Sequence, residues 1–169
     1  MPAILNYLDQ IAVFSGGIFV GTAVYTSVSE VPALRAFGLD EHWRFFPFMY
    51  ERAAVLQVAS SMLAASAAIV HGSRIVGSSF DRNLWLAAGL TLAGMLPFTF
   101  VCIMPTNKRI IDDNKRVKLG QASLVDTATK KEILDKWAGL HLVRSIASTA
   151  AFGAMIFGLS RHSSLIYAW

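Results

Sequence analysis

His141 and Arg144 stand three residues apart inside a long apolar run, where polar side chains are costly. At that spacing the two share one face of a helix. Ionisable groups within a membrane span point by default into the protein and suggest function. An imidazole at that depth suits proton transfer near neutral pH. Trp137 lies on the same stripe, four residues before His141. Tracing the apolar runs places further polar residues at the same depth: Glu30 leaving the first run, Glu51 and Arg52 entering the second, and Thr106 and Asn107 leaving the third. Four helices thus deliver polar groups to one end. The other end offers His71 and His162, beside Gly72 and Arg161, which solvated helix tips explain.

The same residues have a reading without chemistry. Arg144 then snorkels to lipid phosphates, Glu51 pairs with Arg52 or Arg144, and His141 is a packed polar residue. A metal site would need His42 and His141 to meet Glu30 or Glu51, which requires the segment after the first helix to fold inward. No ligand-spaced motif demands it, and haem would need a second deep histidine. No cofactor is therefore predicted, and metal stays open. The single cysteine, Cys102, excludes an internal disulfide, a dithiol redox pair and a multi-thiolate metal site.

The elements that position these groups follow from hydropathy. Of 169 residues, 54% are apolar and only 15% charged, and the charges cluster between four apolar stretches. Crossing a hydrocarbon core of roughly 30 Å takes about 20 apolar residues. Residues 11–28, 53–70, 84–104 and 137–159 qualify, with Pro32 and Pro105 closing the first and third. The expected fold is all-α, a single-domain integral membrane four-helix bundle with both termini on the same side. Residues 106–136 are expected as a polar loop. The Thr129-Lys130-Lys131-Glu132 run has the spacing of a capping box, so the fourth helix should begin near Lys130. Residues 40–47 mix charge with aromatics, as a segment at headgroup level would. Pro97 predicts a kink in the third helix. Small residues at four-residue spacing (Gly17 and Gly21; Ser60, Ala64 and Ala68; Ala150, Ala154 and Gly158) predict close helix packing.

Basic residues crowd two loops. Arg35, Arg44 and Arg52 follow the first helix, and Lys108, Arg109, Lys115, Arg116, Lys118, Lys130, Lys131 and Lys136 follow the third, against Arg74, Arg82 and Arg161 elsewhere. The positive-inside rule places both larger loops in the cytoplasm and both termini on the lumenal or extracellular side. The net charge of +4 belongs to these lipid-proximal loops and implies no nucleic-acid partner. The N-terminus lacks a basic region and a cleavage pattern, so the first apolar stretch is expected to be a retained helix rather than a signal peptide. The implied partners are the bilayer and a lipophilic small molecule; organelle and oligomeric state are not legible.

The chain resembles the anthrone oxygenase-like family of small membrane proteins. The resemblance rests on the glycine-rich first helix with its closing proline (Gly16, Gly17, Gly21, Pro32), on Met104-Pro105-Thr106-Asn107, and on Trp137, His141 and Arg144 opening the last helix. It implies a membrane-embedded monooxygenase that oxidises an anthrone-type aromatic polyketide to a quinone with O2. It further implies His141 as base, Arg144 and Asn107 as holders of the oxyanion and Trp137 as a stacking surface, with Glu30, Glu51 and Arg52 near the substrate. The alternative from the residues alone is a non-catalytic tetra-helical scaffold or small-molecule carrier.

Overall fold

A computed structural model describes residues 3–166, with side chains from 5 to 161; the side chain of His162 lies outside the described residues. After a 3-10 turn at Ala3–Asn6 the chain forms α1 (Leu8–Tyr25), a π-helical turn (Thr26–Glu30) and α2 (Val31–Phe37), then α3 (Leu39–Arg74). It continues with α4 (Ser79–Phe98), a second π-helical turn (Thr99–Ile103), α5 (Met104–Lys118) and α6 (Thr127–Ile166). Four continuous rods result, each long and apolar enough to cross a membrane: Leu8–Phe37, Leu39–Arg74, Ser79–Lys118 and Thr127–Arg161. Successive rods pack as neighbours, in the cyclic order α1, α3, α4, α6. The protein is an all-α, multi-pass membrane four-helix bundle.

The rods outrun the apolar stretches that predicted them. Pro32 and Pro105 do not end their helices. Each sits in the first turn after a π-helical turn, where Val31 N–H reaches back to Thr26 C=O and Met104 N–H to Thr99 C=O. A proline lacks the amide proton and clashes with the carbonyl four residues back. The wider turn supplies the room, and the helix goes on. Residues 40–47 are the opening turns of α3, continuous with its spanning part. Pro97 lies in the last turn of α4, just before the second wide turn.

The expected loop over 106–136 shrinks to residues 119–126. α5 ends in a Schellman motif: Gly120 adopts φ +74°, its N–H reaches Val117 C=O at 3.0 Å, and Gln121 N–H reaches Arg116 C=O at 3.1 Å. α6 begins three residues before the expected Lys130. Its cap is Asp126 rather than Thr129, with Thr129 N–H donating to Asp126 Oδ1 at 2.7 Å. That bond holds the Asp126 carboxyl below its ordinary value.

Two buried clusters divide the bundle. The deeper one joins Phe19, Ala64, Ala65, Ala68, Trp85, Leu92 and Met155. Two glycines show its closeness: a Cβ at Gly89 would lie 2.7 Å from Ile69 Cγ1, and one at Gly158, the buried end of a predicted row whose Ala150 is exposed, would lie 2.6 Å from Trp85 Nε1. Ser60, Ala64 and Ala68 are buried as a row, whereas on α1 it is Gly16 that packs inward and Gly21 that faces out. The second cluster, at the polar end, joins Val31, Trp43, Phe46, Ile103, Ile110, Leu134 and Trp137. Phe14, Leu90, Val101 and Ile146 stand exposed on the outer surface, as lipid-facing side chains do.

Candidate active site

Between the two clusters the rods enclose a cavity of about 160 Å3. Phe19 of α1 and Trp137 of α6 belong to opposite clusters and both line it. Both π-helical turns contribute to its wall, through Thr26 on one side and Thr99, Phe100 and Ile103 on the other. Most of the lining is apolar, and Gln57, Asn107, His141 and Arg144 are its strongest polar groups.

Arg144 is the centre of the polar set. Its Nη2 donates to Gln57 Oε1 and to His141 Nε2, each at 2.7 Å, and Nη1 reaches Thr99 Oγ1 at 3.4 Å. The guanidinium carbon lies 5.8 Å from the centre of the Phe19 ring. Arg144 is only 8% exposed, and among the described residues no carboxylate pairs with it. A buried cation without a counter-charge makes the cavity a place for an anion.

The bonds to His141 fix its tautomer. A guanidinium only donates, so Nε2 accepts and the ring proton sits on Nδ1. From there it donates to Ser27 Oγ at 2.9 Å. Ser27 lies 2.9 Å from Ser145 Oγ, and Ser145 donates to Ala23 C=O or to His141 C=O, both at 3.0 Å. A chain of hydroxyls thus ties α6 to the first wide turn and to α1. Trp137 stands over the ring of His141, 5.1 Å between centroids, and meets Phe46 edge-on at 5.0 Å.

Two polar atoms of the cavity residues are buried without partners among the described residues, Asn107 Oδ1 and Arg144 Nε. Leaving such groups dry costs about 1–3 kcal/mol each. A molecule that donates to Asn107 Oδ1 and accepts from Arg144 Nε would satisfy both.

Of the sequence-predicted site residues, Asn107, Trp137, His141 and Arg144 therefore meet in one cavity. Glu30 and Arg52 line an adjoining outer groove instead. Glu30 accepts there from Thr26 Oγ1 at 3.1 Å, and Arg52 donates to Phe48 C=O at 3.2 Å. Glu51 is exposed, lines neither space and pairs with neither arginine. Thr106 is buried but spends its hydroxyl on Ile103 C=O. His42 is buried in the opening turn of α3 away from the cavity, so it does not join His141 and a glutamate. Among the described residues no three His, Cys, Asp or Glu side chains cluster as a metal site would require. At the far end His71 packs edge-on against Trp85, 4.6 Å between centroids.

Residues 46–154 match a family model described as anthrone oxygenase. The chain belongs to the anthrone oxygenase family. Among curated relatives, "Anthrone oxygenase AgnL2" of Paecilomyces divaricatus is 26% identical over 138 residues, covering 80% of this chain and 84% of that one. No solved structure matches. The segment matched to the anthrone oxygenase family begins at Phe46 and ends at Ala154, so it holds Gln57, Asn107, Trp137, His141 and Arg144 and leaves out Ser27.

Sequence reasoning missed three partners in this anthrone oxygenase family cavity: Gln57, Ser27 and Ser145. Gln57 carried a signal, being the one primary-amide side chain inside the second apolar stretch. Ser145 follows His141 by four residues and shares its face. Ser27 gave no signal, because serines are common in membrane helices and only tertiary packing brings this one to the imidazole.

Proposed function

We propose that this chain is a membrane-embedded oxygenase that converts an anthrone-type aromatic to a quinone with O2. One observation carries the reading: a buried arginine with no carboxylate partner among the described residues, hydrogen-bonded to a neutral histidine, in a mostly apolar cavity inside a member of the anthrone oxygenase family. An anthrone CH2 is acidified by its neighbouring carbonyl and rings, and its conjugate base is a phenolate-like anion that O2 can attack. One oxygen atom becomes the new carbonyl. The other leaves as water with the two methylene hydrogens.

Arg144 and the side-chain N–H of Asn107 hold the oxyanion as it develops, in a site where preorganised donors act without competition from water. His141 is the base. Its Nε2 lone pair is engaged by Arg144, so the substrate must act first. When the anthrone oxygen takes the Arg144 proton donor, Nε2 is released to accept the methylene proton, while Nδ1–H stays on Ser27. Trp137 offers its face to the planar rings. The Lys and Arg residues of α5 and of the N-terminal half of α6 support a cytoplasmic side for the polar end of the bundle.

The test is oxidation of an anthrone by the purified protein in lipid nanodiscs, followed by quinone absorbance. Turnover should exceed spontaneous oxidation, and His141→Ala should lower it by about 100-fold or more, the usual share of a positioned base. Unchanged turnover in His141→Ala would remove the base assignment. A rate no higher than spontaneous oxidation would favour the second reading, a non-catalytic scaffold or carrier. That reading draws on one observation: the Arg144–Gln57 and His141–Ser27 bonds also pin α6 to α3 and to the first wide turn.

A further inference from the structure

A second space lies against the catalytic cavity. It is a groove of about 620 Å3 on the outer surface between α1 and α3, running from Gly21 and Leu56 to Glu30 and Arg52. Thr26, Met49, Ala53 and Gln57 line both the groove and the cavity. One layer of side chains is therefore all that separates them. Gln57 belongs to that layer and is the residue that holds Arg144.

The groove's own walls point to the kind of molecule it takes. Tyr25, Phe45 and Phe48 are 61%, 42% and 47% exposed around it, where a closed bundle would cover them. Gly21 is the small residue that turns out of the helix packing, and a Cβ there would meet nothing within 4 Å. Aromatic walls with one polar end, where Glu30 and Arg52 stand, fit a flat phenolic molecule lying along the helices with its oxygens towards the headgroups. The dividing layer is also soft: Met49 is unbranched and adapts readily, and Thr26 belongs to a wide turn that already departs from α-helical winding.

We propose that this groove is a lateral portal, through which a bilayer-dissolved planar phenolic aromatic passes between Met49 and Thr26 into the cavity. The identity of the ligand rests on the oxygenase reading; the route does not. Product would leave by the same door, sparing a lipophilic quinone any passage through water.

The experiment follows binding of 1,8-dihydroxyanthraquinone, by its visible absorbance, to the full chain in nanodiscs of zwitterionic lipid. Gly21→Trp fills the groove without touching the cavity. It should slow association and dissociation together by about fivefold or more while equilibrium affinity stays within about twofold, the signature of a blocked path to an intact site. Leu56→Ala, which widens the groove, should speed both. Gly153→Trp, on an exposed stretch of α6, should change neither. Wild-type rates in both Gly21→Trp and Leu56→Ala would overturn the portal and leave a surface furrow filled by acyl chains, as would absence of saturable binding. Saturable binding with the expected rate changes, but no anthrone oxidation, would keep the portal and overturn the oxygenase reading instead.

Discussion

His141 Nε2 lies 2.7 Å from Arg144 Nη2, so a neutral imidazole accepts from a buried guanidinium one helical turn further along α6. The contact makes each residue the keeper of the other. Arg144→Lys keeps the charge but not the fork that reaches Gln57 and His141 together. It should lower anthrone turnover by about 100-fold, the scale of losing one oxyanion donor, with the helical signal in circular dichroism preserved. Turnover near wild type would show that a point charge suffices.

Ser27→Ala removes the acceptor for His141 Nδ1–H. Ser145 Oγ stands 3.5 Å away and offers only a weak substitute. Stability should fall by about 1 kcal/mol, the lower end of the cost of a buried unpaired donor. Adding Ser145→Ala should cost more than the two single changes summed, because the double variant strips the imidazole of both hydroxyls. Thermal unfolding in one detergent reads both values.

Asp113 should matter more than any exposed ion pair. It is 4% exposed and accepts from Trp43 Nε1 at 3.0 Å, from Ser123 Oγ and from Leu124 N–H at 2.9 Å. Beside it Asn114 donates to Trp43 C=O at 2.9 Å. These bonds fasten residues 119–126 and α5 to the start of α3. Asp113→Ala should cost about 3 kcal/mol, since several donors lose their partner at once. It should also expose residues 119–126 to protease before the rest of the chain. By contrast Arg35–Asp135, 49% and 42% exposed, should contribute about 0–1 kcal/mol.

Acid should loosen α6 from its first turn. The Asp126 carboxyl is held below its ordinary value by the Thr129 N–H. Its contribution is therefore complete above the unfolded-state value and is lost as pH falls through the lower folded-state value. Amide exchange at Thr129 and Lys130 should quicken over that acidic window, and Asp126→Ala should show the fast exchange at neutral pH. Equal protection in the two proteins would remove the cap.

Much of this was legible in the sequence for a simple reason. A bilayer demands long apolar helices, and the cost of a buried charge marks His141 and Arg144 before any fold is known. Trp137 followed from its four-residue spacing to His141 and Asn107 from depth. Depth does not say which way a residue faces, however, and so Glu30 and Arg52 fell to the groove and Glu51 to the exterior. The helix ends misled because Pro32 and Pro105 normally stop a helix, and the wide turns that absorb them leave no pattern in composition. The Asp113 hub was hidden for another reason: a carboxylate amid basic residues reads as a solvated charge until the fold brings Trp43 to it.

Those two wide turns set a condition on the chain that no side chain expresses. Each residue added to or taken from a helix turns everything beyond it by roughly 100°. Wound as ordinary α-helix, the five residues Thr99–Ile103 would swing Asn107 and Ile110 out of phase with Gln57 and His141; the wide turn absorbs the extra residue and keeps them in line. Thr26–Glu30 wound the same way would carry Val31 off the second cluster. The cavity is therefore a matter of counting as much as of chemistry: it exists because two rods each run one residue long at the same depth.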